Sequence, residues 1–480
     1  MMRSLFSGVS GLKNHQTRMD VIGNNISNVN TTGFKSSRVN FEDTISQTLT
    51  AASQASGTTG GTNPKQIGLG SKISAIDVNF KDGSIQSTGI NTDLCLSGNA
   101  LFVVKQGNQT FYTRNGAFNF DAEGNLVNAE GLYVQGYMNA SATEHNSINT
   151  NGATSSIQIR AGKTMPSSAT STANYINNLN ASAATITTIT GTLEDGTAVP
   201  PSTDPPTVLD SIAVGENYPG TTKKVVAAVL TMSDGTTQTV TSGNYTKDHS
   251  IPLSTTVKVY DSLGAAHIVP ITIEKTAADT WEAKLAKKTW TEDDGTTTTV
   301  TMDDTVVPFN TNGSYNSTTG KAGTINLTYT NGAEPQQVII SYDKLTQYAN
   351  SSTINAEANG YASGTLDTVT IDESGTVVGT YTNGVLRKEA QIAVAQFTNA
   401  PGLTKKGNSL YVESNNSGTP NIGTAGGFGA TITASALEMS NVDVAEEFSN
   451  MIITQRGFQS NSKIITVSDE MLENLINMKR

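Results

Sequence analysis

The chain has 480 residues and a net charge of −11, from 30 Lys and Arg against 41 Asp and Glu, and only 15% of its residues are charged. The length allows roughly two to four domains, and the acidic balance argues against nucleic acid as the main partner, because phosphate neutralisation needs a clustered basic surface. Cys95 alone supports neither an intramolecular disulfide framework nor a Cys-cluster zinc site. No run of about 18 apolar residues is present, so no membrane span is expected. The residues from Met1 to Gly8 lack the apolar core of a cleaved signal peptide, so export, if it occurs, is expected by another route.

The first predicted element is a helix on which Leu5, Leu12, Met19 and Ile26 recur every seven residues. Met2 and Val9 lie on the adjacent stripe, while Gln16 and Gly23 weaken it, and Asn24, Asn25, Asn28 and Asn30 to Gly33 end the helix in turn chemistry. Residues 35–70 read as a connecting extended or loop segment, polar and rich in Gly, Ser and Thr around Gly57-Thr58. Val39, Phe41, Ile45 and Leu49 are apolar enough to dock on something. Past Ile67 the pattern is β: short apolar runs alternate with Asp82-Gly83, Glu123-Gly124, Asp195-Gly196, Asp234-Gly235, Asn312-Gly313, Asn331-Gly332 and Asn383-Gly384, dipeptides suited to tight hairpin turns. Residues 184–250, poorest in bulky apolar side chains and holding Pro200-Pro201 and Pro205-Pro206, read as a small inserted β domain or a decorated loop region.

At the far end Leu437, Val444, Met451, Phe458, Ile465 and Leu472 repeat at the same interval of seven. A helix from about 437 to 476 would be roughly 60 Å long at about 1.5 Å per residue, and a sustained heptad reads as a coiled-coil seam. A core helix pair in an ordinary globule is the alternative reading. Terminal position, narrow seams and the scarcity of other helical patterns favour an assembly element. If the ends pair, the middle must loop out as nested domains. The expected fold is therefore a multidomain α+β chain, with paired terminal coiled-coil helices and nested antiparallel β-rich domains of sandwich or barrel type. Its expected parts are a terminal helical domain (1–34 and 431–480), an inner β domain (71–145 and 360–430), and an outer β domain (146–183 and 251–359) carrying the insert.

No constellation of catalytic chemistry is found. His15, His145, His249 and His267 have no metal-ligand spacing. Gly162-Lys163-Thr164 resembles the end of a phosphate loop, but the required opening glycine is Ile157. The glycines from Gly423 to Gly429 lack a following lysine and the βαβ context of a dinucleotide site. Asp293-Asp294-Gly295 and Asp303-Asp304 lack the ligand ladder of a calcium loop. Cys95 sits between Leu94 and Leu96 with no cation nearby in sequence, the setting of a buried, inert thiol. The chain is read as a non-enzyme with no catalytic, cofactor-binding or metal site and no cofactor.

The two ends carry a resemblance. Ser7 to Leu12 followed by Asp20 to Lys35, with Asn24, Asn25, Asn28, Gly33 and Phe34, is similar to the N-terminal signature of bacterial flagellar rod and hook proteins. The stretch from Ala436 through Asn441, Asp443, Gln455, Arg456 and Leu472 resembles their C-terminal signature. Within that axial family Asn91 to Leu94, Phe111 to Phe118, Gly124 to Asn128, Gly375 to Gly379 and Gln391 to Ala393 look like the inner domain of hook proteins, and Val259 to Gly264 with Trp281 like the outer one. Ser27 stands where the family usually has Ala, and Ala100-Leu101 where it has Gly-Phe. In some spirochete hook proteins a cysteine of the outer domain is cross-linked to a lysine. Cys95, in the inner half, does not match that position.

The resemblance implies a structural subunit that polymerises into a flexible helical tube, a universal joint passing motor torque from rod to filament. The ten heptad residues would form the assembly seam, largely unfolded before assembly. Implied partners are other copies of the chain, the distal rod, hook cap and hook–filament junction proteins, and the flagellar type III export apparatus. The implied location is extracellular, in the hook attached to the basal body. A distal rod or junction protein is the alternative within the organelle, and a secreted β-rich adhesin the alternative outside it.

Overall fold

A computed structural model describes residues 2–55, 59–141, 146–199, 209–292 and 295–478. Gly57-Thr58, His145, the Pro200-Pro201 and Pro205-Pro206 pairs and Asp293-Asp294 lie outside the described residues. The chain forms two compact units, one of Met1–Lys163 with Leu366–Arg480, the other of Thr164–Thr365. The break falls after Lys163, not near 145 as the sequence suggested, because Ile157 and Ile159 bury into the core of the first unit.

In the first unit α1 (Met2–Ser27) and α2 (Val444–Asn477) pack against each other. Gly8 lies beside Ile465, Gly11 beside Asn461 and His15 beside Gly457, so the pair runs antiparallel. The expected start of the second helix near 437 is corrected. Asp443 is its N-cap, accepting from the backbone N–H groups of Ala445 (2.9 Å) and Glu446 (3.2 Å), and Glu446 and Glu447 in the first turn suit the helix dipole. Leu437 instead lies in a strand, Ala436–Glu438, paired antiparallel with Ile85–Ser87. Thr431–Ala434 likewise pairs with Leu94–Ser97. The heptad interval at 437 is therefore accidental to the helix, which the Asp443 cap cannot let begin earlier.

The connecting segment, read as extended or loop, is a β-ribbon. Ser37–Asp43 pairs with Ser71–Val78, and Ser46–Thr50 with Lys65–Gly68, both antiparallel. Alternating side chains on Ser71–Val78 turn inward and outward in the period-2 pattern that a two-stranded ladder requires. Phe41, Ile45, Leu49, Ile67 and Ile76 remain exposed on the ribbon.

The body of this unit is antiparallel sheet closed by the returning chain. Leu101–Gln106 pairs with Gln109–Thr113, Tyr133–Met138 and Val394–Gln396, and Leu386–Ile392 pairs with Tyr133–Met138 and Thr376–Tyr381. Leu94, Phe102, Phe118, Leu126, Val134, Ile157, Val377, Ile392 and Ile432 fill its core.

Among the described residues the second unit has two cores. One, around Tyr175, Val257, Ile271, Trp281, Ile325 and Tyr342, lies between a six-stranded and a four-stranded sheet. Its strand Thr172–Asn180 pairs in parallel with Gln336–Tyr348, an exception to the antiparallel expectation. The crossover that parallel pairing needs is supplied by everything between residues 180 and 336. The other core, around Ile186, Ile189, Leu193, Ile212, Val225 and Leu230, belongs to the stretch read as poor in apolar residues. Alternation makes those few side chains sufficient: on Val225–Met232, Val225, Ala228, Leu230 and Met232 are buried.

Candidate assembly site

The contact face between α1 and α2 combines small and polar residues with heptad side chains such as Ile465, which packs on Gly8. A Cβ on Gly11 would come within 2.7 Å of the Asn461 amide, and one on Gly457 within 2.6 Å of the His15 ring, so both glycines permit close approach of the helix axes. Arg18 donates to Asn450 Oδ1 at 3.1 Å, and Asn25 donates to Glu447 Oε1 at 2.7 Å. Thr454 and Ser468 are the buried side chains of α2, each bonded to a backbone carbonyl one turn back.

Of the seam residues, Leu5, Leu12, Met19, Ile26, Val444, Met451, Ile465 and Leu472 are half-buried and Phe458 is exposed. Beside them Phe6, Val9, Phe448, Ile452, Ile453, Ile464, Met471, Leu475 and Ile476 are exposed, with Ile452 and Ile453 at 60%. A helix 34 residues long is thus left with apolar side chains that its own chain does not cover. Covering each would contribute about 1.5–3 kcal/mol.

The signature residues sit mostly at the root of the helix pair. Buried Asn25 donates to the Ser37 carbonyl (2.9 Å) and accepts from the Ser37 N–H (3.0 Å), closing the turn from α1 into the ribbon. Asn28 donates to the Asn24 carbonyl (2.8 Å). Asn441 accepts from the Ser36 N–H (2.8 Å) and donates to the carbonyls of Asn79 (2.8 Å) and Lys81 (3.0 Å), so one amide ties the entry of α2 to both strands of the ribbon. Gly33, at φ +66°, lies so close to Asn115 that a Cβ would be 2.5 Å from its backbone nitrogen. The Phe34 ring lies under the Lys405 ammonium, 4.9 Å away. Gln455 is exposed and Arg456, also exposed, donates to Gln459 one turn on (3.2 Å).

Sequence reasoning missed the polar centre of this root. Lys35 Nζ is 2.7 Å from Glu438 Oε1, and Arg114 Nη1 is 3.4 Å from Glu438 Oε2; all three side chains are 1% exposed. Lys35 also donates to the Lys81 carbonyl (2.8 Å), Arg114 to the Leu96 (2.7 Å) and Gly98 carbonyls, and Glu438 accepts from the Gly83 N–H (2.8 Å). Burial, with Arg114 nearby, pulls the Lys35 ammonium below its ordinary range, and Glu438 opposes that. Gly83 is no hairpin glycine: a Cβ there would be 2.0 Å from the Met439 carbonyl oxygen. No local spacing links Lys35 to Glu438, 403 residues away. The available signal was only that each lies inside an end signature. Cys95, 1% exposed, is near these charges, yet burial and Glu438 push its thiol up to about 11.

These ends and this root define a class, the axial proteins of the bacterial flagellum. The model "Flagella basal body rod protein" matches residues 5–35 and "Flagellar basal body rod FlgEFG protein C-terminal" residues 433–478. Between them "Flagellar hook protein FlgE/F/G D1 domain" matches 95–164 and "Flagellar basal body protein FlaE D2 domain" 230–361. The chain is 37% identical to the flagellar hook protein FlgE of Treponema pallidum and 37% to that of Borreliella burgdorferi, each over 100% of both chains. A solved Helicobacter pylori flagellar hook protein, FlgE2, aligns at 15% identity with a TM-score of 0.40, over 74% of this chain and 100% of that one. The chain belongs to the flagellar hook protein family.

Proposed function

We propose that this chain is the structural subunit of the flagellar hook, polymerising through its terminal helix pair into a flexible tube that carries torque from rod to filament. The observation that carries the reading is the uncovered apolar row of α1 and α2, from Phe6 to Ile476, left exposed after the two helices have packed on each other. Such a row finds cover in copies of itself, and repeated heterologous contacts generate a helical polymer. Similarity to hook proteins at 37% identity over the full length supports the same reading; the basal-body rod protein FlgG of Bacillus subtilis also matches over the full length, at 29%.

On this reading the seam residues Leu5, Leu12, Met19, Ile26, Val444, Met451, Phe458, Ile465 and Leu472 contact neighbouring subunits, and Leu437 does not. The terminal helices with the ribbon form the assembly domain. The distal rod, hook cap and junction proteins would be the partners at the tube's ends. Export through the flagellar type III apparatus would place the chain outside the cell.

Deleting residues 444–480 tests the reading without removing Glu438. The truncated chain should stay folded, by circular dichroism, and form no tubes under the electron microscope. Tubes from that truncation would overturn it.

A further inference from the structure

An asparagine followed by glycine carries its own reaction partner. The glycine nitrogen can attack the side-chain carbonyl carbon of the asparagine, because no Cβ crowds the approach. The attack needs two freedoms: a side chain able to turn toward the next nitrogen, and an N–H not given to a carbonyl. A geometry held away from attack loses orders of magnitude in rate. The chain has six such pairs, beginning at Asn115, Asn151, Asn312, Asn331, Asn359 and Asn383.

The fold ties down five of them. Asn359 accepts from the N–H groups of Ser171 (3.0 Å) and Thr172 (3.1 Å) and donates to Ser171 Oγ (2.9 Å). Asn115 accepts from Thr32 Oγ1 (3.2 Å) and the Ala117 N–H (3.1 Å), and a Cβ on Gly116 would be 1.8 Å from the Leu94 carbonyl oxygen. Asn331 donates to Asp261 Oδ2 (2.8 Å) and accepts from the Ala333 N–H (3.0 Å). At Asn312 and Asn383 both parts are engaged. Gly313 and Gly384 donate to the Asn310 and Tyr381 carbonyls, each at 2.8 Å, while the asparagine side chains accept from the N–H groups of Ser314 (3.0 Å) and Val385 (3.1 Å).

Asn151 differs. It and Gly152 are exposed, on the stretch leading into the strand Ser155–Ser156 of the first unit. Its backbone N–H donates to Asn149 Oδ1 (3.0 Å), a turn that holds the main chain while leaving the Asn151 side chain free. Among the described residues neither the Asn151 amide nor the Gly152 N–H has a hydrogen-bond partner. Apart from its chain neighbours, nothing lies within 4 Å of where a Gly152 Cβ would stand.

We propose that Asn151 is a self-modification site, the asparagine that the folded protein converts in water, without an enzyme, to aspartate and isoaspartate. Gly152 N forms a bond to Asn151 Cγ and gives its proton to water. The bond from Cγ to the amide nitrogen breaks, and that nitrogen takes a proton from solvent and leaves as ammonia. The five-membered imide then takes up one water: opening at Cγ gives aspartate, and opening at the main-chain carbonyl gives isoaspartate, with one more methylene in the backbone. Nothing is oxidised or reduced. Either product puts a carboxylate where a neutral amide stood, in a place where no side chain packs, so the fold carries the new charge unchanged.

The test holds the full chain folded at mildly alkaline pH and follows all six asparagines by tandem mass spectrometry and isoaspartyl methyltransferase labelling, with a urea-unfolded sample for the intrinsic rates. Asn151 should convert at a similar rate in both samples, and the other five about ten-fold or more slowly in the folded chain. Gly152→Ala, whose methyl the open site accepts, should slow conversion at 151 by about ten-fold and leave thermal unfolding unmoved. Conversion at Asn151 that requires unfolding, a held pair converting as fast as Asn151 in the folded chain, or an undiminished rate in Gly152→Ala would each overturn the proposal.

Discussion

Lys35 and Glu438 meet at 2.7 Å inside the protein, joining the turn between the first helix and the ribbon to the strand that precedes the second helix. Their separation in sequence is 403 residues, and Arg114, from the β body, completes the cluster. Both chain ends are therefore fastened to the first β unit at one buried point.

Removing Glu438 leaves the buried Lys35 without its carboxylate. Glu438→Gln should cost about 3–5 kcal/mol, read as a lower midpoint in denaturant with unchanged slope. The loss should fall on the first unit, with the second unit's unfolding transition unmoved.

Gly83 and Gly33 should be intolerant for different reasons. An alanine at 83 collides with the Met439 carbonyl, and one at 33 is both in the left-handed region and against the Asn115 backbone. Each should destabilise the root by about 1–3 kcal/mol, detectable as protease sensitivity between residues 28 and 36 or 438 and 443.

The two faces of α2 should separate by assay. Ile452→Ser or Phe458→Ser, on exposed positions, should change monomer stability by no more than about 0.5 kcal/mol while abolishing polymerisation. Gly457→Val, against His15, should instead loosen the helix pair itself, read as lost helical ellipticity in the monomer. Polymerisation intact in both exposed-face variants would contradict the assembly role.

Glu447 carries a pH prediction. Burial, then Glu446, raise its carboxyl above the ordinary value against the opposing bond from Asn25. A raised carboxyl contributes stability below the unfolded pKa that is lost as pH rises through the folded value, so the helix pair should hold better in mild acid than at neutrality. Glu447→Gln keeps an acceptor for Asn25 and should match or exceed wild type at neutral pH, with a flatter pH profile of thermal unfolding. Glu447→Ala, lacking the acceptor, should lose about 1 kcal/mol.

Cys95 should be silent toward thiol reagents in the native chain at mildly alkaline pH. Its thiol is buried and pushed up to about 11, leaving little thiolate. Labelling should appear only with unfolding, followed by mass spectrometry.

Periodicity by itself determined that this protein has helical ends around a β-rich middle, and the end signatures determined its family, because both are local patterns. The helix start at 444 was also legible in Asp443, yet the heptad at Leu437 masked it. Three things only the tertiary structure decided. The 35–70 segment is a ribbon: Ser37–Asp43 finds its partner at Ser71–Val78, past the end of that segment, and Ser46–Thr50 finds its own at Lys65–Gly68 within it. The helix pair closes on Gly11, Gly457 and Asn461, so its apolar row faces outward, a choice that depends on how near two axes can come. Charged Lys35, Glu438 and Arg114 are buried together because folding brings three distant segments to one point. Composition began as a low density of charge spread over 480 residues; tertiary contact decided which few of those charges were taken out of water and paired.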